Sequence, residues 1–388
     1  MSEPRPPLLS LPFLELCLFN FAASSAVFAL LPVAPFRIRE LGGGTEAAGL
    51  FLGALTLASA LSASWTGALG DALGQGRVLG VAATGLALLF ASFGFVESWP
   101  VLVGLALLQG VLWSSLLTSS GAYAVRLIPE SRRAEGFAIH GMATILAITI
   151  APSLGFLLFS AGWRWLTVAL AVTNGAIALL ALRFVRADQR PVGDLRGALS
   201  GEHIAWPVLR FAIGIFLVAF GYGGLTSFVA LFCEARGIAP KGIFFAAFAG
   251  TIFVLRPFVG RWIDRVGPWR TFAPAISICA AGLAALPFAT GRAGVITGAL
   301  LYGLGFSSIG PAFTSYVISR VPEARRGSAF GANLTAFDSG IGAGSMAFGP
   351  IVARYGFGAA FGVASALALA SIPYFIWARP RFERETTG

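Results

Sequence analysis

Apolar runs of 18 residues or more follow one another along the whole chain, separated by short polar breaks. Each is long enough to cross a bilayer as a helix, which takes about 20 apolar residues. The pattern predicts helices at about 12–35, 45–70, 77–96, 100–127, 136–161 and 163–186. A second set is predicted at about 208–235, 242–264, 269–290, 292–320, 327–354 and 357–379. A membrane barrel would need strands of about ten residues alternating apolar with polar. The runs here are instead continuous Leu, Ala, Val, Phe and Gly. The expectation is an all-α membrane protein of twelve transmembrane helices. The longest polar stretch, Arg186 to Pro207, reads as a linker between two six-helix bundles, residues 1–186 and 208–388, with 187–207 between them.

Composition agrees. The 388 residues are 57% hydrophobic and 11% charged, too little polar material to cover a water-exposed surface, where about 25% is usual. The net charge of +10 would suit nucleic acid, but the basic residues, all arginine except Lys241, sit in short loops between apolar runs. They read as topological charge, and no nucleic-acid partner is expected. With the N-terminus in the cytoplasm, 19 of the basic residues fall on that side and seven on the other, which places both termini in the cytoplasm of a multi-pass inner (plasma) membrane protein. Cys17, Cys233 and Cys279 lie far apart inside apolar runs and do not form a disulfide framework. Met1 to Leu11 lacks the marks of a cleavable signal.

The chain repeats itself. Gly67-x3-Asp71-x2-Gly74 recurs as Gly260-x3-Asp264-x2-Gly267, and Pro129-Glu130-x-Arg132-Arg133 recurs as Pro322-Glu323-x-Arg325-Arg326, both displaced by 193 residues. Ten of the 27 aligned positions from Leu107 to Arg133 are identical without a gap. Apolar composition alone does not place Asp, Pro-Glu and Arg-Arg at one offset. Six helices per copy preserve orientation, so the copies are parallel repeats, which rock against one another around a site near the midplane.

These motifs resemble the major facilitator superfamily (MFS) over nearly the whole chain. The family signature between helices 2 and 3, roughly G-x-L-A-D-R-x-G-R-K, stands here as Gly67-Ala68-Leu69-Gly70-Asp71-Ala72-Leu73-Gly74-Gln75-Gly76-Arg77. The basic residue after Asp71 is absent. The second copy keeps it as Asp264-Arg265. The resemblance implies the MFS fold, two pseudo-symmetric six-helix bundles. Asp71 and Asp264 can each sit at the positive end of a helix in the other half, near Gly327 and Gly136 respectively. Gly67, Asp71, Gly74, Arg77, Gly260, Asp264, Arg265 and Gly267, with Arg132, Arg133, Arg325 and Arg326, would then form a conformational latch. The alternative is ordinary loop solvation.

Within the family the second half resembles bacterial proton-coupled drug and metabolite efflux carriers, through Phe220-Gly221-Tyr222-Gly223-Gly224, Arg256-Pro257-x2-Gly260 and Ala336-Phe337-Asp338-Ser339-Gly340-Ile341-Gly342. The antiporter signature of helix 5 is degenerate, Ala151-Pro152-Ser153-Leu154-Gly155, but its residues stay small enough for close helix packing. The arginine that many such exporters carry on helix 4 is Ala106 here.

Ionisable residues inside the membrane are costly and mark function by default. Asp338 lies eleven residues into its helix, about 16 Å along the axis and near the midplane. A carboxyl group there is penalised for its charge, which suits a proton carrier or a substrate counter-ion. The alternative is a carboxylate bonded to Asn333 or to backbone. Glu15 divides between coupling and an interfacial role. Arg256 can reach the headgroups or pair with an acid such as Asp338. His140, aligned with Asn333, is a packing residue or a proton relay. By resemblance, helices 1, 4, 7 and 10 line the substrate cavity, which brings in Asn20, Gln109, Trp113, Ser114, Tyr222, Thr226, Tyr302 and Phe306, with Asn333 beside them.

The expected function is secondary active transport of a small amphipathic organic molecule by alternating access, as proton-coupled efflux. Proton-coupled uptake is the alternative. A membrane sensor or enzyme on the same scaffold is a third reading, against which stands the lack of any metal-ligand or nucleophile–base cluster. No Walker-type G-x4-G-K-[ST] sequence occurs, so the proton gradient, with no cofactor, is the expected energy source. The expected partners are the bilayer, the small-molecule substrate and protons, and the protein is expected to be a monomer.

Overall fold

The computed structural model describes residues 9–129, 132–187, 205–322 and 326–387. The linker between the repeats therefore lies largely outside the described residues. Among the described residues the regular elements are helices, and no strand occurs. The first repeat holds α1 (Leu11–Leu30), α2 (Ala34–Glu40), α3 (Leu50–Leu73), α4 (Gln75–Phe93), α5 (Trp99–Leu127), α6 (Arg133–Ala161) and α7 (Trp163–Ala187). The second holds α8 (Trp206–Phe211), α9 (Ile213–Ala235), α10 (Ile243–Val266), α11 (Pro268–Ala285), α12 (Arg292–Ile318) and α13 (Arg326–Thr387).

Nine helices among the described residues are long and apolar enough to span a membrane, or eleven when two bent pairs are each counted as one span. The last, α13, runs 62 residues, longer than one crossing, and breaks at Gly356, where φ is 79°. The twelve expected crossings require α13 to count as two.

Proline explains two of the departures from the expected boundaries and one bend, because it lacks the N–H that continues a helix. The first helix, expected to reach residue 35, stops at Leu30. Pro32 lies in the turn that follows, and Pro35 opens the short α2. Pro287 sits in the 3-10 turn Leu286–Phe288 that ends the run expected to continue to residue 290. Within α10 the segments Ile243–Arg256 and Phe258–Val266 meet at 62°, with Pro257 at the joint.

Backbone geometry carries the duplication independently of side chains. The described residues with positive φ are six glycines, and they fall into three pairs: Gly42 with Gly237, Gly74 with Gly267, and Gly162 with Gly356. Their separations are 195, 193 and 194 residues. Each pair ends the corresponding helix in the two copies. At Gly74 and Gly267 φ is 95° and 92°, with ψ 132° and 140°, an extended positive-φ conformation that costs other residues about 1–3 kcal/mol. The glycines of the repeated Gly-x3-Asp-x2-Gly motif are thus partly a backbone requirement.

The chain forms two compact units. One contains Met1–Leu30, Ser62–Val96 and Val111–Ser200. In it α1 packs on α6, and α4 packs on α7. Gly155 lies against the backbone of Ala29, and Gly76 against that of Phe184, so no larger residue fits at either crossing. Trp163 Nε1 donates to the carbonyl of Phe93 at 2.7 Å, which satisfies the buried indole.

The other unit contains Leu31–Leu61, Glu97–Gly110 and Gly201–Gly388. Its main contact is α9 along the first part of α13, where Gly223 meets the Ile341 carbonyl and Gly344 meets that of Phe220. Residues 31–61 belong to this unit through similarly close packing. Ser345 Oγ donates to the Gly49 carbonyl at 2.7 Å and shares a 2.6 Å hydrogen bond with Ser227. Gly53 lies under Met346. At the end of α9, Glu234 accepts from Arg39 at 2.7 Å and from Lys241 at 2.5 Å.

Candidate functional site

Helix α3 carries four hydroxyls, Thr56, Ser59, Ser62 and Thr66, spaced by three and four residues along the chain. All four are buried. Ser59 Oγ donates to Asp338 Oδ2 on α13 at 2.9 Å. Asp338 is 9% exposed, and Ser59 is its hydrogen-bond partner among the described residues, with no ion pair. A buried carboxyl group without a cation is the costly arrangement that structural ion pairing would have removed.

Helices α9, α10, α12 and α13 build an aromatic face. Tyr222 of α9 stacks on Phe306 of α12 at 5.0 Å between centroids, and on Phe337, the neighbour of Asp338, at 6.2 Å. Tyr302 stacks on Phe306 at 5.5 Å, and Phe248 of α10 lies 5.6 Å from both. Such pairs each add about 0.5–1.5 kcal/mol beyond area burial, so the face is stiff. Tyr222, Phe306 and Phe337 stay partly accessible. Gln109, which aligns with Tyr302 in the repeat, is fully buried, and both side-chain amide atoms lack a hydrogen-bond partner among the described residues. Thr226 donates back to the Tyr222 carbonyl at 2.8 Å, the common role of a helix threonine. Asn333 lines a small cleft with Phe313, Thr314, Val317, Ile318 and Ala329, and it makes no bond to Asp338.

The first unit has its own polar cluster. Asn20 Nδ2 donates to the His140 carbonyl at 3.3 Å and to Thr144 Oγ1 at 3.0 Å. His140 Nε2 lies 3.3 Å from Ser120 Oγ, and Nδ1 is unpartnered among the described residues. These bonds tie α1 to α6 and α6 to α5. Ser114 Oγ lies 3.1 Å from Thr66 Oγ1, and Trp113 meets Phe28 edge-on at 6.3 Å.

With this geometry in view, the comparisons are direct. The family model described as Major Facilitator Superfamily matches residues 16–345. The chain belongs to the major facilitator superfamily. An uncharacterized MFS-type transporter of Pseudomonas aeruginosa (strain UCBPP-PA14) is 28% identical over 387 residues, covering 97% of this chain and 95% of the relative. One from Burkholderia mallei (strain SAVP1) is 26% identical over 366 residues, covering 91% and 88%. Among solved structures, the human organic anion transporter MFSD10 aligns with a TM-score of 0.71 at 19% identity, over 96% of this chain and all of that one. The nucleoside transporter NupG aligns with a TM-score of 0.76 at 13% identity, over 95% and 99%. At these identities the solved structures establish the fold alone.

Glu15 is ion-paired with Arg183 of α7, an exposed partner at the helix end. Arg256 is half-buried at the α10 joint and makes no ion pair with Asp338. Asp71 accepts from Gln75 Nε2 at 2.9 Å, so a neutral amide serves it where the family signature carries a basic residue. Gly70 makes this possible, because a Cβ there would occupy the place of the Gln75 amide. Arg77 donates to the Leu73 carbonyl at 3.2 Å. Gly67 and Gly260 face open space, and Asp264 and Arg265 are exposed. Arg132 pairs with Glu135 at 2.7 Å. Arg325 and the side chains of Arg133 and Arg326 lie outside the described residues. None of Cys17, Cys233 and Cys279 is disulfide-bonded. Among the described residues no group of three or more His, Cys, Asp or Glu side chains could hold a metal.

The sequence pattern does not single out Ser59 or Phe248, and it shows Phe337 only as part of the Ala336-to-Gly342 motif. The 3-and-4 spacing of the α3 hydroxyls was the available signal for Ser59.

Proposed function

We propose that this transporter couples proton movement to the export of a small amphipathic organic molecule across the inner membrane, with both termini cytoplasmic. The supporting observation is Asp338, an acid buried mid-helix and held by a hydroxyl rather than a cation. Such a group can change its charge without breaking an ion pair. The accessible aromatic face of Tyr222, Phe306 and Phe337 supplies apolar contact for the cargo. Few fixed charges stand beside these groups, which favours a neutral or weakly charged molecule. The structural neighbours include transporters of organic anions, nucleosides and peptides, so the scaffold leaves the cargo open.

Coupling by one carboxyl group needs no cofactor and no second subunit. Uptake by symport would use the same groups in the opposite sense. Purified protein in lipid vesicles distinguishes them. Under an imposed pH gradient, amphipathic test compounds should move against the proton flow, and a protonophore should abolish the movement. Movement with the protons would establish uptake. Movement indifferent to the gradient would reject proton coupling.

A further inference from the structure

The bond between Ser59 and Asp338 joins the first repeat to the second at the level of the acid. Both side chains are buried, at 2% and 9% exposure, and the hydroxyl donates over 2.9 Å. In the 193-residue alignment, Ser59 stands opposite Ile252 and Asp338 opposite Ile145. The duplication therefore carries isoleucine at both corresponding positions, and the polar pair is an asymmetric addition to a symmetric frame. On one side of it the contact continues through close approaches, Gly342 against Thr56, Gly53 against Met346 and Gly49 against Ser345.

We propose that Ser59 is the positioning residue for proton exchange at Asp338. This rests on reading Asp338 as the proton site. The hydroxyl donates to the ionised carboxylate and fixes its orientation, and hydrogen bonds to a charged acceptor are roughly twice as strong as neutral ones. Proton uptake by the carboxylate weakens the bond and loosens α3 from α13 at this level. The proton thus acts on the contact between helices as well as on the acid.

Other ionisable groups on the packed elements do not engage Asp338. Residues 50–61 of α3 contain none. On α9 the groups are Tyr222, Cys233 and Glu234, and Glu234 is held by Arg39 and Lys241. On α12 they are Arg292, Tyr302 and Tyr316, and Tyr316 donates to Glu383 at 2.8 Å. Arg256 of α10 makes no ion pair with Asp338.

The test is the pH profile of gradient-driven transport in vesicles, each variant normalised to its own maximum. Removing a donor to the charged form favours the protonated form, so Ser59→Ala should still transport with its midpoint moved to higher pH. The expected move is about half a unit or more, about threefold in proton affinity. Ser59→Thr, which keeps the hydroxyl, should restore the wild-type profile. A wild-type profile in Ser59→Ala overturns the proposal. So does a folded Ser59→Ala whose profile moves but is not restored by Ser59→Thr. Intact coupling in Asp338→Asn would instead remove the reading on which the proposal stands.

Discussion

Asp338→Asn is expected to reduce proton-driven transport to the level of empty vesicles while the protein stays folded. Asparagine keeps the size of the side chain, and its carbonyl oxygen can still accept from Ser59 at the distance of 2.9 Å found here. It cannot ionise, so it removes a charge that a membrane interior tolerates only at a cost of a few kcal/mol. Stability should therefore hold or rise. Binding of cargo to the aromatic face should survive, because that face is built from Tyr222, Phe306 and Phe337. Exchange of labelled for unlabelled compound without a pH gradient should then persist. Loss of exchange and driven transport together, in a folded variant, would make Asp338 a cargo residue instead.

Gly223→Leu should have the largest effect on folding. A Cβ at this position would lie inside the carbonyl oxygen of Ile341, and the neighbouring crossing brings Gly344 onto Phe220 in the same way. The obstacle is backbone on both sides, so no side-chain rotation relieves it. Helix association in a bilayer depends on such close packing because lipid supplies no hydrophobic drive between helices. The expected cost is about 3 kcal/mol or more, read as a large drop in detergent melting temperature and loss of monodisperse protein. Gly250→Ala is the control, since nothing lies within 4 Å of a Cβ there. Equal melting temperatures for the two variants would contradict the packing described.

These two sites were not equally legible in the sequence. Asp338 stands out because an acid in an apolar run is costly whatever its role, and depth along the helix follows from counting residues. The duplication was legible because Asp, Pro-Glu and Arg-Arg recur at one offset, and the paired positive-φ glycines give it a backbone basis. Gly223 was quoted as part of a motif, but its contact was not readable, since which glycine meets a backbone depends on helix rotation. The sequence offers Asn333 or helix backbone as the structural partner of Asp338. The acid bonds instead to Ser59, 279 residues distant in sequence. Hydroxyls in helices usually return to their own backbone, as Thr56 does to Leu52 at 2.9 Å, and this masks the few that reach across. The aromatic face is half visible in the sequence: Tyr222, Tyr302 and Phe306 stand out and Phe337 lies within a quoted motif, whereas Phe248 is one of 34 phenylalanines.

The claim that Asp338 exchanges the transported proton is tested most directly by proton release from purified protein in weakly buffered detergent solution. Adding a transported compound near neutral pH should release or take up protons in the wild type, in an amount approaching one per protein. Asp338→Asn should bind the same compound with no proton change. An identical proton change in both proteins, or cargo binding to the wild type with none at any pH, would contradict the account.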